Sequence, residues 1–313
     1  VSRQSATDDN GLRPIALGPF NYEQENYTRN LWIAEGFTAY YQDIYTKRAG
    51  LQSPDRYLMN LAASISSVEN QPGNRVESVS DASFDAWIKQ YRPNENSANS
   101  TISYYSKGAL IALIMDLETI HSTQAKAGLD EVMKAMYDEY YTKKGRGYTD
   151  AEFKTMLEKV SGKSFDDVYK DYVNGVKTID YKKYFSYAGF TLIDDAAKGN
   201  DAYLGVVTAL KDGKIIVTNV SRQSPAWIAG LNVNDEILSI DGNRINNVSD
   251  PRLSEVEKFI STKIPGEKIL ISFNRDGLIR QTEVMLVRNP NHRFRIASLS
   301  NLTEAQIAVR KRW

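Results

Sequence analysis

The sequence predicts an α+β multidomain chain, in which an all-α helical part is followed, after about residue 185, by a small, partly open β-barrel with two helices. Three observations predict it. The 313 residues correspond to about two domains of roughly 150 residues each. Apolar residues follow helical spacing in the first part. The second part changes to short alternating runs separated by Asp-Gly pairs.

The first part reads as a series of helices. One is predicted over residues 27–48, with Thr28 as its N-cap, and a second begins at the Ser53-Pro54 pair. The run 102–120 is strongly apolar and is predicted to lie at the centre of the core. Further helices are predicted over 129–141, 150–160 and 164–173, whereas 80–91 is ambiguous.

The second part reads as strands and two helices. Two hairpins are predicted across Asp212-Gly213 and Asp276-Gly277. The predicted order is strands 204–210 and 214–220, a short helix from Ser224-Pro225, strand 236–240, helix 251–261, and strands 268–275 and 279–286. This order is typical of a small, partly open barrel of about 100 residues.

Composition excludes several classes of function. Lys plus Arg and Asp plus Glu number 39 each, and the basic residues are scattered, so no nucleic-acid partner is expected. Without cysteine there is no disulfide, zinc ribbon, iron–sulfur cluster or thiol nucleophile. The two histidines, His121 and His292, are far apart in sequence, so a metal site built from this chain alone would depend on carboxylates.

No membrane span is expected, because the longest apolar run, 109–115, is ended by Asp116 and is far shorter than the roughly 20 residues that cross a bilayer. Residues 1–10 are polar and do not resemble a signal peptide. Because the sequence starts at Val1, we expect a processed product or a fragment.

Glu35 is the first candidate site residue, since it is a carboxylate within an apolar helix segment, 31–41. An ionised carboxylate in apolar surroundings needs a cation, a metal or several donors. On spacing alone, a buried salt bridge or a helix-face position at the core edge is the favoured explanation.

Tyr105 is the second candidate, since a phenol beside a lysine-bearing helix can donate a hydrogen bond to a developing oxyanion. The chain has 19 tyrosines, and plain packing at the rim of the core is the alternative for each of them.

Several motifs in order resemble the M61 family of zinc metallopeptidases, the glycyl aminopeptidases. They are RPIALGPFNY at 13–22, ENYT at 25–28, LWIAEGFTAYY at 31–41 and Tyr-x-Lys-Gly at 105–108. The run FDDVYKDYVNG at 165–175 is similar to the region after the catalytic helices. The resemblance covers roughly residues 12–185 and implies a helical, gluzincin-type catalytic subdomain.

The resemblance implies roles for both candidates. In the family a His-Glu-x-x-His helix gives two zinc ligands and the general base, and the third ligand corresponds to Glu35. Tyr105 corresponds to the tyrosine that stabilises the tetrahedral oxyanion. The implied activity is zinc-dependent removal of N-terminal, perhaps small, residues from a peptide substrate.

The sequence departs from the family at one decisive point, because it contains no His-Glu-x-x-His. Residues 1–11, where the motif would precede Arg13-Pro14, resemble nothing in the family. We therefore expect the C-terminal part of an aminopeptidase whose N-terminal part is missing, inactive alone, with zinc absent or weakly bound. A divergent homologue that has lost catalysis is the other interpretation.

The second part resembles a PDZ domain of the bacterial protease type over about residues 186–290, on the runs YLGV at 203–206, SPAWIAGL at 224–231 and NDEILSIDG at 234–242. A C-terminal peptide would add as a strand, with its carboxylate received by the loop of Tyr203, Leu204, Gly205 and Val206 and its side chains against the helix at 253–260. Plain scaffolding is the alternative role.

The expected organisation is an unassigned tail at 1–11, the peptidase subdomain at 12–185, the PDZ domain at 186–290 and a tail with a short helix at 291–313. The alternative function is a non-catalytic peptide-binding module on a helical scaffold. A periplasmic or exported location is expected only from the habit of the family.

Overall fold

The computed structural model describes residues 11–245 and 254–313. Its helices, in chain order, are α1 (Leu31–Arg48), α2 (Pro54–Asn70), α3 (Val79–Phe84), α4 (Ser97–Ser100), α5 (Tyr104–Ser122), α6 (Leu129–Met136), α7 (Asp150–Ser161), α8 (Asp166–Val168), α9 (Tyr181–Tyr187), α10 (Pro225–Ile228), α11 (Glu255–Ser261) and α12 (Glu304–Arg312). Short 3₁₀ turns lie at Ile15–Leu17 and Pro72–Arg75, and π-helical turns at Tyr137–Lys143 and Tyr169–Val173.

The strands are β1 (Phe190–Asp194), β2 (Ala202–Tyr203), β3 (Val206–Lys211), β4 (Lys214–Val220), β5 (Glu236–Ile240), β6 (Asn243–Arg244), β7 (Lys268–Arg275), β8 (Leu278–Met285), β9 (Val287–Arg288) and β10 (Phe294–Ser298). The chain divides into two units. The first contains residues 11–92, Thr101–Asp194 and Arg293–Trp313. The second contains Pro93–Ser100 and the described residues between Asp195 and His292.

The core of the first unit is built around α5, as its apolar sequence predicts. Nearly every side chain from Leu110 to Ile120 is buried, so this helix contacts other elements on all sides. The side chain of Ser103 caps its N-terminus by accepting a hydrogen bond from the Ser106 N–H at 3.3 Å. No described helix is long and apolar enough to cross a membrane.

The helix starts agree with the sequence in one case and differ in another. Ser53 caps α2, accepting from the Arg56 N–H at 3.2 Å, as predicted. The prediction that Thr28 caps the first helix is wrong. That helix begins at Leu31 after Asn30, because the Thr28 hydroxyl instead accepts from the Asn30 N–H at 3.1 Å within the preceding turn.

The C-terminal tail belongs to the first unit. Strand β10 pairs antiparallel with β1, from Phe190 opposite Ser298 to Asp194 opposite Phe294. Helix α12, the predicted short helix, follows β10. Trp313, the residue directly after α12, is buried. The indole N–H of Trp313 donates to the Tyr40 hydroxyl at 3.1 Å, which anchors the tail on α1.

The second unit contains an antiparallel sheet in the order β3-β4-β5-β7-β8, with β6 on β5. The predicted hairpins across Asp212-Gly213 and Asp276-Gly277 are present. The predicted barrel is wrong, because within the described part of the chain β3 and β8 are the two ends of this sheet and do not pair with each other. Its buried Asp235 carboxylate receives two hydrogen bonds from Arg275, each 2.7 Å.

A polar segment that precedes α5 in sequence also belongs to the second unit. Asn99 is buried, donates to the Val220 carbonyl at 2.8 Å and accepts from the Arg222 N–H at 2.8 Å. These two hydrogen bonds fix 93–100 against the end of β4. The predicted boundaries at 185/186 and 290/291 stay predictions.

Candidate active site and peptide groove

Two glycines bring the helices that carry Glu35 and Tyr105 into close contact. A Cβ atom on Gly36 of α1 would lie 2.6 Å from the Gly108 Cα of α5, and one on Gly108 would lie 2.7 Å from the Trp32 carbonyl oxygen. No side chain other than hydrogen fits at either position. Glu35 precedes one glycine and Tyr105 lies one turn before the other, so the contact places both residues beside the same helix crossing.

The Tyr105 hydroxyl lies in a cluster of three phenols. It is 3.3 Å from the Tyr91 hydroxyl, which is 3.2 Å from the Tyr104 hydroxyl, and the rings of Tyr104 and Tyr105 stack with centroids 4.7 Å apart. Burial, the Tyr91 hydrogen bond and the negative charge of Glu35 all raise the pKa of Tyr105. The phenol therefore stays protonated at neutral pH and is available as a hydrogen-bond donor.

Glu35 is half-buried on α1 and close enough to Tyr105 for its charge to act on that phenol. The structure thus brings together the two residues that the sequence singled out in the first part. Tyr91 is the member of this site that sequence reasoning missed. It lies in the segment that was ambiguous between helix and loop, and only the fold reveals its contact with Tyr105.

A groove with a volume of about 560 Å³ lies in the second unit between residues 203–207 and α11. It is lined by all four predicted loop residues and by Val256 and Ile260 of α11. Strand β3 pairs only with β4 among the described residues, so its other edge faces no strand there. Leu253, the predicted start of the groove helix, lies outside the described residues, and α11 begins at Glu255.

Gly205 sets the shape of the loop at one end of this groove. Its φ of +84° lies in the left-handed region, and a Cβ there would come 2.2 Å from the Ser224 Cβ. The Gly205 carbonyl accepts from the Ser221 N–H at 2.8 Å, and the Leu204 carbonyl accepts from the Ala226 N–H at 3.0 Å. These hydrogen bonds hold the loop against the backbone of the second unit. Because the loop cannot move away from Ser224 and the φ of Gly205 is left-handed, only a glycine fits at this position.

Comparison with known proteins finds a similar family for one segment in each part of the chain. Residues 9–111 match the family described as M61 glycyl aminopeptidase, and residues 202–286 match the PDZ domain family. Each of these matches covers less than half of the 313 residues. The M61 match includes both Glu35 and Tyr105, and the PDZ match includes the groove loop.

A solved structure of similar fold is the aminopeptidase N family protein from Idiomarina loihiensis, with 27% identity and a TM-score of 0.82. The alignment covers 95% of this chain and 51% of that protein, so the chain spans about half of its length. An HtrA-type protease, AlgW, with a decapeptide matches 29% of the chain and 30% of its own length at 24% identity, with a TM-score of 0.26. Among curated proteins none matches.

The described part of the chain does not by itself fit a zinc ion. A zinc site of a peptidase uses three protein ligands, and no group of three His, Cys, Asp or Glu side chains is found among residues 11–245 and 254–313. His121 is exposed at the end of α5, where its ring stacks on Tyr187 with centroids 3.9 Å apart, and His292 belongs to the second unit. Glu35 is thus a single candidate ligand.

The lysine of the Tyr-x-Lys-Gly motif is buried rather than directed to solvent. Lys107 is 1% exposed, and its Nζ has no hydrogen-bond partner in the described part of the protein. Burial lowers its pKa to about 8, despite the attraction of the buried carboxylate of Glu69. A buried cation without a hydrogen-bond partner lowers the stability of the fold.

Proposed function

We propose that the M61 segment supplies two functional groups of a zinc-dependent aminopeptidase, with Glu35 as the third zinc ligand and Tyr105 as the donor to the oxyanion. The observation that carries the proposal is the Gly36–Gly108 helix contact, which places Tyr105 near the Glu35 carboxylate. The His-Glu-x-x-His motif would come from protein outside these 313 residues.

The chemistry assigned to Tyr105 is electrostatic stabilisation. When a peptide carbonyl becomes tetrahedral, its oxygen gains negative charge, and a preorganised O–H donor binds this oxyanion more strongly than the ground-state carbonyl. The phenol of Tyr105 keeps its proton at neutral pH, as a donor requires, and its surroundings raise the pKa further. The hydrogen bond with Tyr91 and the stacking on Tyr104 restrict the ring before substrate binds.

Two observations support a missing segment. The chain covers 51% of the Idiomarina loihiensis protein, whose description is of an aminopeptidase N family member. Phe84, Trp87 and Ile88, which precede Tyr91 in the chain, are also more than a third accessible. Apolar patches of this kind mark interaction sites, and we propose that the segment carrying the motif covers this one.

Zinc titration of the 313-residue chain tests the proposal that it is inactive alone. The expected result is weak or no binding by calorimetry and no peptidase activity, because one carboxylate cannot hold the ion in competition with water. One tightly held zinc per chain, or zinc-dependent hydrolysis of peptides by the chain alone, would contradict the proposal.

The role of Glu35 is testable in the full-length protein, defined as this chain together with the segment that carries His-Glu-x-x-His. Glu35→Gln should lower bound zinc and abolish zinc-dependent hydrolysis. Glu25→Gln is a matched control, because that exposed glutamate precedes α1. Unchanged zinc content in Glu35→Gln would remove the ligand role.

We propose that the PDZ domain binds the C-terminus of a peptide by strand addition beside β3, with the carboxylate at residues 203–206. The alternative function, a non-catalytic peptide-binding module, rests on the same groove. An assay of peptide hydrolysis by the full-length protein distinguishes the proposed aminopeptidase from the non-catalytic peptide-binding module. A C-terminal peptide library without binding above background would contradict both peptide-binding roles and leave scaffolding.

An exported location is also proposed, and cell fractionation tests it.

A further inference from the structure

Tyr91 lies on a segment with few buried side chains of its own. Of residues 85–92, all of which the structure describes, Ala86 alone has a buried side chain, and Tyr91 is 63% exposed. The Tyr91 hydroxyl nevertheless lies 3.2 Å from that of Tyr104 and 3.3 Å from that of Tyr105. Because apolar burial contributes little to holding this segment, its position depends on polar contacts.

Glu77 has a buried carboxylate, with 4% of the side chain exposed, that makes a polar contact on each of two sides. Its Oε1 accepts from the Lys89 ammonium at 2.6 Å, and its Oε2 accepts from the Ile102 N–H at 3.1 Å. Lys89 is two residues before Tyr91. Ile102 directly precedes the cap residue of α5 and is three residues before Tyr105. One carboxylate thus joins the segment that carries Tyr91 to the start of the helix that carries Tyr105.

The main chain fixes the position of Glu77 itself. Its N–H donates to the Gly73 carbonyl at 2.9 Å, which ties it to the preceding 3₁₀ turn. A Cβ atom on Gly73 would lie 1.9 Å from the Thr101 carbonyl oxygen, so this turn and the residues before α5 are in close contact. Ser78, the next residue, caps α3 by accepting from the Asp81 N–H at 3.0 Å. The Glu77 carboxylate therefore extends from a well-anchored point of the backbone.

The direction of the hydrogen bonds shows why the Tyr91 hydroxyl matters to the proposed reaction. When Tyr105 gives its hydrogen to the oxyanion, its own oxygen accepts from Tyr91. The Tyr91 oxygen then accepts from Tyr104, which is buried. Members of a hydrogen-bond chain polarise one another, so the bond from Tyr91 makes Tyr105 a better donor. This effect requires the Tyr91 hydroxyl to be held within about 0.5 Å of its position.

We propose that Glu77 is a positioning residue for Tyr105. Its ion pair with Lys89 holds the segment that places the Tyr91 hydroxyl beside that phenol, and its contact with Ile102 holds the start of α5. The inference rests on the proposed function, since it assumes that Tyr105 donates to the oxyanion. Glu77 belongs to none of the motifs that carry the family resemblance.

The kinetic test uses the full-length protein and removes the ion pair from either side. Lys89→Met and Glu77→Gln should each lower kcat about tenfold with KM unchanged, because the hydrogen bond that they misplace acts in the transition state. Lys89→Arg keeps a cation at this position and should restore most of the kcat. Lys134→Met, at an exposed lysine paired with Asp138 in the same unit, is the control and should keep the parent kcat.

Two further measurements distinguish positioning from a loss of stability. In a Tyr91→Phe background, Lys89→Met should have no further effect on kcat, because the hydroxyl that the ion pair positions is gone. In the 313-residue chain, amide hydrogen exchange of residues 86–92 should be faster in Lys89→Met, whereas exchange of α5 should be unchanged. Thermal melts verify that each variant is folded.

The parent kcat in both Lys89→Met and Glu77→Gln, or independent effects of Lys89→Met and Tyr91→Phe that multiply, would overturn the inference. Unchanged hydrogen exchange of residues 86–92 would also overturn it, since the ion pair would then not hold the segment. The proposed function fails separately. If Tyr105→Phe keeps the parent kcat, the catalytic role of Tyr105 is wrong, and the positioning role of Glu77 is wrong with it, even where the exchange result holds.

Discussion

Replacing Lys107 by methionine should stabilise the first unit, and the gain should depend on pH. Lys107 is buried without a hydrogen-bond partner in the described structure, and its pKa is lowered to about 8. Methionine has a similar length and no charge. Replacing buried charges by apolar side chains of similar volume is often neutral or stabilising.

The magnitude follows from the two pKa values of the lysine. An unfolded chain protonates lysine with its ordinary pKa of 10.5, and the folded protein does so at about 8. At 1.36 kcal/mol per pKa unit, the folded state loses about 3 kcal/mol whenever both states are protonated, below pH 8. The penalty fades between pH 8 and 10.5, because the folded lysine then releases its proton while the unfolded one keeps it. Between pH 7.5 and 9.5 it falls by about 2 kcal/mol.

Urea unfolding at several pH values measures this difference. Trp227 is replaced by phenylalanine in every variant, so that tryptophan fluorescence reports only the first unit, which contains the other three tryptophans. The free energy of unfolding of Lys107→Met minus that of the parent should be positive at pH 7.5 and smaller by about 2 kcal/mol at pH 9.5. The exposed Lys159→Met is the control and should give no such change. A pH-independent difference for Lys107→Met would refute the reasoning.

Three further substitutions test the packing on which the sites depend. Gly108→Ala should lower the free energy of unfolding of the first unit by about 1–3 kcal/mol, because its Cβ has no room at the helix crossing; an unaffected urea midpoint would contradict the close contact. Gly205→Ala should weaken C-terminal peptide binding at least about tenfold in calorimetry, because the methyl group would displace Ser224 or the loop; wild-type affinity would argue against the carboxylate loop. Arg275→Met should destabilise the second unit by about 3–5 kcal/mol in thermal melts, since the buried Asp235 then keeps the Asn232 N–H but loses its cation. A loss below about 1 kcal/mol would mean that the pair contributes as little as a surface ion pair.

Local signals in the sequence predicted most elements well. Asp-Gly pairs fixed the hairpins, and Ser53-Pro54 placed the start of α2, because both act through neighbouring atoms. The pairing of β1 with β10 joins segments about 100 residues apart and has no local signal. Barrel closure likewise depends on which strand edges meet, so the strand order alone led to a wrong expectation.

The site was predictable only in part, because it combines local motifs with contacts between segments that are distant in sequence. Glu35 and Tyr105 stood out by their motifs, but their common location depends on the Gly36–Gly108 contact between distant helices. The contact of Tyr91 with Tyr105 depends on a loop that meets α5, which spacing along one helix does not reveal. The sequence did not predict that Lys107 is buried, because lysine is rarely fully buried without a partner.

The most direct test of the central claim is the turnover of Tyr105→Phe in the full-length protein that carries His-Glu-x-x-His. If Tyr105 donates to the oxyanion, kcat should fall by about 10² or more while the zinc content is unchanged. Tyr22→Phe, an exposed tyrosine of the same unit, should keep the parent kcat. An unchanged kcat in Tyr105→Phe would contradict the account.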